Sequence, residues 1–185
     1  MVNEAKMLFG PVAFRPTTED DLEFVMKLEN DPENISFVRQ WPLEQHRSAL
    51  TDDNIAHMII HTKSDETIIG YIILIGLQSP DRSVQFKRIV IARKGEGFGR
   101  ASVRLLKRFA FEKLGAHRLW LAVVDHNERA YRLYKSEGFI LEGIHRESLR
   151  QGDRFVSVKV MSMLAHEYNR QAVQNKCKLK ETKRP

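Results

Sequence analysis

The 185-residue chain has a single cysteine, no long hydrophobic run and no recognisable metal-ligand spacing among its histidines. Cys177 alone can form neither an internal disulfide nor a cysteine-based metal cluster, so no metal is expected. The longest apolar run, 67–77, is about half as long as a membrane-spanning helix and is interrupted by glycine. No signal-peptide cleavage site follows the first residues, so we expect a cytoplasmic protein that does not enter the membrane.

The distribution of charge argues against nucleic acid as a partner. The 30 Lys and Arg residues exceed the 24 Asp and Glu residues by six. Residues 176–185 hold five of those basic residues against one acidic residue, so they supply four of the six charges. A nucleic-acid-binding domain is expected to hold its basic excess on the folded body. We therefore predict one folded domain over 1–165 and a C-terminal tail over 166–185 that is helical at first and strongly basic.

Hydrophobic periodicity predicts a mixed α/β fold. Apolar runs bounded by turn residues predict strands at 12–15, 56–61, 67–77, 84–91, 119–124, 139–148 and 154–163. Apolar residues at helical spacing predict helices at 22–29, 43–50, 98–114 and 127–137. From 84 to 124 the order is strand, glycine-rich loop, helix, strand, which is typical of a βαβ unit with two parallel strands. The nearly continuous apolar run at 119–124 predicts a strand covered on both faces.

Three glycines separate the strand at 84–91 from the helix that follows it. Gly95, Gly97 and Gly99 allow positive φ angles and a close approach of the backbone, so successive N–H groups can converge on an anion. The N-terminus of the next helix adds unpaired N–H groups and the positive end of its dipole. Positive side chains flank the loop at Arg93, Lys94 and Arg100. The segment is a candidate diphosphate site, and the alternative is a sharp turn that needs only small residues.

The residues after the glycines narrow the class of phosphate ligand. A Walker A loop needs Gly-Lys-Ser/Thr, whereas this loop continues Gly99-Arg100-Ala101, which argues against nucleoside triphosphate hydrolysis. Arg100 also stands where the dinucleotide-binding fingerprint would need its third glycine. Basic residues recur along the helix at positions 100, 104, 107 and 108. Only the first helical turn can reach a phosphate, so we expect the rest of this stripe to be solvent-exposed.

A second candidate site lies in the segment 127–139. Asn127 and Tyr134 are seven residues apart, about two helical turns, so both side chains point to the same side. Asn127 can also cap its helix. A phenol with an ordinary pKa of about 10 can donate a proton to a departing thiolate whose thiol has a pKa of about 8.5. The alternative for Tyr134 is a core aromatic with a satisfied hydroxyl, and Tyr131 is expected only to pack or to face solvent.

These two segments together resemble the GNAT N-acetyltransferases. The shared pattern is Arg/Lys-Gly-x-Gly-x-Gly on a strand-to-helix turn, followed by Asn-x-x-Ala-x-x-x-Tyr-x-x-x-Gly-Phe. The resemblance extends over about 12–165 and is strongest over 84–163. Residues 127–130, 138–139 and 141–143 are most similar to the branch that acetylates ribosomal-protein N-termini, with bacterial spermidine acetyltransferases close by. The implied fold is a twisted, mostly antiparallel sheet of about seven strands with a central parallel pair and about four flanking helices.

The resemblance also implies roles for individual residues. The glycine loop would hold the pyrophosphate of acetyl-CoA through its backbone amides, and the main chain at the end of the strand 84–91 would pair with pantetheine and polarise the thioester carbonyl. Tyr134 would be the general acid for the CoA thiolate. The full cofactor-binding set is Ile89, Val90, Ile91, Lys94, Gly95, Gly97, Phe98, Gly99, Arg100 and Asn127. Lys94 departs from the Arg or Gln that usually opens the motif.

A more serious departure concerns the general base. Gln85 stands where related sequences often carry a glutamate that could accept the proton of the amine, and glutamine cannot be a base. Water, Glu33 or Glu142 could take that role. The expected reaction is direct attack of a neutral primary amine on the acetyl thioester in a ternary complex, because no nucleophile and base pairing is evident in the sequence.

The acceptor amine is only weakly indicated. Acidic residues between 17 and 50, among them Glu29, Asp31, Glu33 and Glu44, would suit a cationic amine. We predict a peptide or protein N-terminus as the acceptor, with a polyamine or another small amine as alternatives. A non-catalytic acetyl-CoA-binding module is the alternative from a different class, and a homodimer is the candidate assembly.

Overall fold

The computed structural model describes the backbone of residues 7–181 and the side chains of residues 10–174. Its strands are Met7–Phe9 (β1), Val12–Pro16 (β2), Ile55–Thr62 (β3), Ile68–Ile75 (β4), Ser83–Ile91 (β5), Arg118–Val124 (β6), Ile140–Gln151 (β7) and Arg154–Leu164 (β8). Its α-helices are Leu22–Glu29 (α1), Leu43–Thr51 (α2), Phe98–Arg108 (α3), Glu128–Ser136 (α4) and Ala165–Glu181 (α5). Cys177 and the basic segment 176–185 lie outside the residues whose side chains are described. No helix in the described part is long and apolar enough to cross a membrane.

The strands form one mixed sheet in the order β1-β2-β3-β4-β5-β6-β8-β7. Strands β5 and β6 are parallel, and every other neighbouring pair is antiparallel. The predicted fold class and the predicted parallel pair are therefore confirmed. The sheet has one strand more than the seven predicted, because β1 has only three residues and is too short to show a periodic pattern.

Local sequence signals explain where the helices begin and end. Thr18 and Asp21 form a capping box before α1, in which the Thr18 backbone N–H donates to Asp21 Oδ2 at 2.8 Å. Asn127 Oδ1 accepts from the backbone N–H of Ala130 at 3.1 Å, so it caps α4 as the sequence suggested. Helix α3 passes into a wider π-helical turn at Phe109–Lys113 and stops before Gly115.

A β-bulge in β5 changes the face of the sheet to which its side chains point. Ile73 pairs with Arg88 while Leu74 pairs with Phe86, so Lys87 is an extra residue in the ladder. An extra residue sends the following side chains to the opposite face of the sheet. Phe86 accordingly packs in the core beneath α3, whereas Val90 packs in the core beneath α1 and α2. The two faces of β5 therefore exchange at Lys87.

Candidate active site

The parallel strands β5 and β6 are paired at only one end. Their register covers Ser83–Gln85 and Arg118–Trp120, and no further pairing between them is seen in the described residues. Beyond that point β5 stays paired with β4 and β6 stays paired with β8. The two strands thus part around a cleft of about 1190 Å³. Backbone N–H and C=O groups on the inner edges of 86–91 and 121–124 are left for a ligand.

This opening also corrects one expectation about β6. The apolar run at 119–124 was expected to be covered on both faces. Leu119, Leu121 and Val123 are buried, but Trp120 is only half-buried and Ala122 is exposed. Ala122 borders the cleft, and the Trp120 ring is covered only in part, with the Arg118 guanidinium 5.6 Å from its centre.

The glycine loop lies at the open end of the cleft. Gly95 and Gly97 have φ angles of +87° and +82°, in the left-handed region that favours glycine. A Cβ atom added at either position would meet nothing within 4 Å, so both residues have open space beside their backbone. Because α3 starts directly after Gly97, its first unpaired N–H groups lie at the same end of the cleft.

All but one of the predicted site residues line this cleft. They come from three elements that the fold brings together, namely Ile89, Val90 and Ile91 of β5, Lys94, Gly95, Gly97, Gly99 and Arg100 of the loop and α3, and Asn127 and Tyr134 at α4. Phe98 is the exception, because it is not among the lining residues. Its half-buried ring packs against the core beneath α3, because it is the first residue of the apolar face of that helix.

Tyr134 occupies the cleft wall near the point where β5 and β6 part. Its ring meets Phe86 edge-on at 5.6 Å and Phe139 at 5.9 Å between ring centroids. The residue is 8% exposed, yet no described residue forms a hydrogen bond with its hydroxyl. Burial raises the pKa of this phenol, so the hydroxyl is protonated at neutral pH. A hydroxyl on the wall of a cleft that no described residue satisfies is suited to meet a ligand atom.

Asn127 and Tyr131, at the same helix as Tyr134, make different contacts. The oxygen of the Asn127 amide is used by its own helix, which leaves the amide nitrogen without a partner among the described residues. Tyr131 does not line the cleft. Its half-buried ring lies 4.6 Å from the Lys159 ammonium nitrogen, so its packing role is the one expected.

The basic stripe on α3 is solvent-exposed at Arg104 and Arg108, as predicted, but Lys107 is buried. Arg100 and Arg104 donate to the Glu137 carboxylate at 2.7 and 3.0 Å, and Lys107 donates to the Glu137 backbone oxygen at 2.6 Å. Lys107 is only 6% exposed. Burial favours a protonated carboxyl, but the hydrogen bond from Arg104 and the charge of Lys107 hold the pKa of Glu137 below its ordinary value. Glu137 therefore joins the helix after the glycine loop to the helix that carries Tyr134.

The carboxylates considered for the amine or for the base lie in different environments. Glu29, grouped with the acids that would face a cationic amine, is fully buried and does not line the cleft. Glu33 does line it and forms an ion pair with Lys94 at 2.7 Å. Glu142 is not among the lining residues, and it pairs with Arg118 at 2.5 Å and Ser162 at 2.7 Å. Of the two carboxylates considered as a base, only Glu33 is at the cleft.

These features can be compared with known proteins. Residues 12–140 match the family model of the acetyltransferase (GNAT) domain. The chain belongs to the GNAT family, and it is an acetyl-CoA-dependent N-acetyltransferase. The match includes the glycine loop and the segment 127–139, on which the sequence resemblance to that family rested.

Individual relatives extend over most of the chain. It is similar to spermidine N(1)-acetyltransferase of Escherichia coli K12, with 24% identity over 85% of this chain and 88% of that protein. A probable N-acetyltransferase of Bacillus subtilis is 27% identical over 85% of this chain and 97% of that protein. A crystal structure of spermidine N-acetyltransferase from Vibrio cholerae with CoA and spermine aligns with a TM-score of 0.77 and 26% identity, covering 85% of this chain and 98% of that one.

The charge of the cleft fits the polyanionic coenzyme of this family. The cations that line it are Arg39, Lys87, Arg88, Arg93, Lys94, Arg100, Arg129 and Arg132. Its two lining carboxylates, Glu33 and Glu128, are both in ion pairs with lysines. A concave surface of one charge sign raises the local concentration of an oppositely charged ligand.

Proposed function

We propose that the chain transfers the acetyl group of acetyl-CoA directly to a primary amine, with Tyr134 as the general acid. The observation that carries this proposal is the hydroxyl of the buried residue Tyr134, which has no partner among the described residues and belongs to a ring that lies beside Phe86, where β5 leaves β6. A phenol at that position can protonate the departing thiolate of CoA. Tyr131, three residues earlier, lies away from the cleft and is the matched control.

The coenzyme would be bound mainly by the main chain. Backbone amides of Gly95, Gly97 and the first turn of α3 suit the pyrophosphate, because they lie at a helix N-terminus. The inner edge of β5 at Ile89–Ile91 offers N–H and C=O groups to pantetheine and to the thioester carbonyl. The Asn127 amide nitrogen adds a donor on the opposite wall.

Loss of the amine proton needs a base other than Gln85. Glu33 is a lining carboxylate, and its ion pair with Lys94 would have to open before it could accept a proton. A water molecule in the cleft is the other candidate. Direct attack needs no covalent enzyme intermediate, so the contribution of the protein is positioning, stabilisation of the carbonyl oxygen and proton transfer.

The names of the relatives favour a polyamine as the acceptor over the peptide N-terminus predicted from the sequence. The Escherichia coli relative is a spermidine acetyltransferase, and the Vibrio cholerae relative was crystallised with spermine. We therefore propose a polyamine as the acceptor class. The specific likeness to ribosomal-protein N-terminal acetyltransferases stays a prediction.

One observation favours the peptide N-terminus as a second candidate. Arg39 and Lys87 line the cleft on the side of α1 and α2, and neither forms an ion pair within the described residues. Burial, and to a smaller extent the like charges of Arg88 and Arg39, lower the pKa of Lys87. Such a wall would attract the carboxylates of an acidic peptide and repel a polyamine.

An acceptor screen tests the proposal. The purified chain is incubated with acetyl-CoA and with spermidine, spermine or short peptides that begin with Ser or Ala, and thiol release and the acetylated product are measured. Product formed from spermidine supports the polyamine. Product formed only from peptides supports the second candidate. Tight binding of acetyl-CoA with no product from any amine would indicate a non-catalytic binding module.

The arrangement of the whole chain also stays a proposal. We propose a single catalytic domain over 1–165, followed by the 166–185 segment, and self-association of the chain. A spermidine N-acetyltransferase of Vibrio cholerae with this fold is described as dodecameric. The end strand β7 exposes Ile140, Leu141 and Ile144, which is an apolar surface suited to a second copy. Light scattering of the eluted protein would measure its mass.

A further inference from the structure

A buried carboxylate lies behind the acceptor side of the cleft. Glu29 is the last residue of α1 and has no exposed surface. Its Oε1 atom accepts hydrogen bonds from the Tyr71 hydroxyl and from Arg88 Nη1. Its Oε2 atom accepts from the backbone N–H of Trp41 at 3.0 Å. One carboxylate thereby connects α1, the strands β4 and β5, and the end of the 30–42 segment that joins α1 to α2.

Arg88 carries this connection to the cleft. It follows Lys87, the extra residue of the β5 bulge, and it lines the cleft although it is only 7% exposed. Its second guanidinium nitrogen donates to the backbone oxygen of Arg39, and the guanidinium lies 4.8 Å from the centre of the Trp41 ring. Arg88 therefore holds the strand directly after the bulge and the 30–42 segment at the same time.

A row of two buried histidines also lies beside Glu29 Oε1. His46 Nε2 lies 3.4 Å from Glu29 Oε1, and His46 Nδ1 lies 3.0 Å from His57 Nε2. His57 Nδ1 in turn lies 2.9 Å from the Thr17 hydroxyl. Burial and the neighbouring His46 lower the pKa of His57 to about 4, so this ring is neutral at pH 7. His57 adds no charge there, and Arg88 supplies a full positive charge next to Glu29.

Glu29 is ionised in this environment. Burial alone would raise the pKa of its carboxyl, but the neighbouring His46 ring and the charge of Arg88 hold that pKa below its ordinary value. An ion pair removed from water loses much more when one partner is deleted than an exposed pair does. Neutralising Glu29 would therefore leave Arg88 buried without its counter-charge.

We infer that Glu29 is a positioning residue for the acceptor wall, which we define as the 30–42 segment together with the β5 bulge. It acts through Arg88, whose hydrogen bonds to Glu29 and to the Arg39 carbonyl fix the position of the 30–42 segment relative to β5, the strand proposed to hold the thioester. The inference rests on the proposed function, since it assigns the acceptor to this wall. It is separate from general acid catalysis, because Glu29 touches neither the cleft nor Tyr134.

A second buried carboxylate supplies the matched comparison. Glu137 collects Arg100, Arg104 and Lys107 on the side of the glycine loop and α4, which we define as the coenzyme wall. Both carboxylates are nearly or fully buried and both bind cations, so Glu29→Gln and Glu137→Gln remove the same kind of interaction from opposite walls. The two variants should therefore differ in which substrate they affect.

Two-substrate kinetics with acetyl-CoA and the best amine of the screen provide the first test. Glu29→Gln is expected to change KM for the amine or kcat by about 10-fold, with KM for acetyl-CoA within about twofold of the original. Glu137→Gln is expected to raise KM for acetyl-CoA and to leave KM for the amine within about twofold. A fall in thermal stability of Glu29→Gln with all kinetic constants unchanged would overturn the inference.

Hydrogen exchange gives a readout that does not depend on turnover. Amides of the 30–42 segment should exchange at least about threefold faster in Glu29→Gln and remain unchanged in Glu137→Gln. Equal protection of that segment in both variants would overturn the inference even if no acceptor were found. A wild-type protein that transfers no acetyl group would instead refute the proposed function alone.

A third variant tests the same inference if Glu29→Gln does not fold. Arg88→Lys keeps the positive charge beside Glu29. A lysine ammonium lacks the two guanidinium nitrogens with which Arg88 donates to the carboxylate and to the Arg39 carbonyl at the same time. It should show the same faster exchange of the 30–42 segment and the same selective effect on the amine. Unchanged exchange and kinetics in Arg88→Lys would overturn the inference.

Discussion

The ring of Tyr134 packs edge-on against the ring of Phe86, with centroids 5.6 Å apart and an interplanar angle of 80°. Phe86 immediately precedes the bulge residue Lys87, and Gln85 is the last residue of β5 that pairs with β6. The contact therefore places the phenol at the closed end of the cleft, beside the strand edge that would hold the thioester. The central chemical prediction depends on that placement.

Replacing Tyr134 with Phe should remove proton donation while keeping the ring contacts. We expect kcat to fall by about 100-fold or more, because a general acid typically contributes that much, and the Kd of acetyl-CoA to stay within about twofold. Steady-state kinetics and calorimetric titration measure the two quantities. Tyr131→Phe is the control and should retain full activity. Equal activity in Tyr134→Phe would remove this residue from the mechanism.

Replacing Gly97 with Val should weaken coenzyme binding. Gly97 has a φ of +82°, which a β-branched residue adopts only with strain, so the loop would shift and lose amide contacts with the pyrophosphate. The Kd of acetyl-CoA is expected to rise by about 10- to 100-fold.

Gly115 provides a matched control for that variant. Its φ is +63°, a Cβ there would also meet nothing within 4 Å, and it lies outside the cleft lining. Gly115→Val should therefore lose stability to a similar extent without weakening coenzyme binding. If both glycine variants bind acetyl-CoA equally well, the proposed phosphate site is wrong.

Stability should fall as the pH is lowered from about 6.5 towards 4, in part because of His57. Its pKa in the folded chain is about 4, below the ordinary value of about 6.5, so in this window the unfolded chain takes up a proton that the folded chain does not. The stability contributed by neutral His57 is complete above pH 6.5 and is lost as the pH falls through 4. The full effect is up to about 3 kcal/mol.

Urea unfolding of the wild type and of His57→Gln between pH 4 and 7.5 measures this contribution. Glutamine can keep hydrogen bonds to Thr17 and His46 but takes up no proton in this range. The variant should therefore show a shallower decline in the free energy of unfolding. Parallel pH profiles for the two proteins would contradict the assignment.

Replacing Lys87 with Gln should help a polyamine acceptor. Lys87 lines the cleft beside Arg39, and removing one of two nearby like charges should raise kcat/KM for spermidine by about 3- to 10-fold. The same change should lower kcat/KM for an acidic peptide. Lys63→Gln, at an exposed residue outside the cleft lining, is the control for net charge. No change with either acceptor would show that Lys87 does not contact the amine substrate.

Local patterns in the sequence were sufficient for most of the fold. The apolar runs of β2 and β5, the cap at Asn127 and the glycines at 95 and 97 are properties of short segments, and each appears where it was predicted. The order of strand, loop, helix and strand likewise determined that β5 and β6 run parallel. The convergence of the glycine loop with Tyr134 followed from the resemblance to a family.

The buried charges could not be predicted in this way. Glu29 and Lys107 resemble the exposed charged residues of any amphipathic helix, because a sequence does not show which distant residue will neutralise a charge. Their partners, Arg88 and Glu137, are 59 and 30 residues away. The sequence gives only a weak sign of the partner of Lys107. Glu137 directly follows α4, and the helix before it, α3, carries basic residues at 100, 104, 107 and 108.

By itself the sequence determined the class of fold, the glycine loop and the helix that carries Tyr134, because hydrophobic period, helix caps and glycine conformation act over a few residues. Only the tertiary structure decided that β5 and β6 separate after three paired residues, that the bulge turns Arg88 towards Glu29, and that the phenol has no partner within the described chain. Those outcomes depend on packing between segments far apart in the chain, because that packing decides which groups lose contact with water and which charges pair.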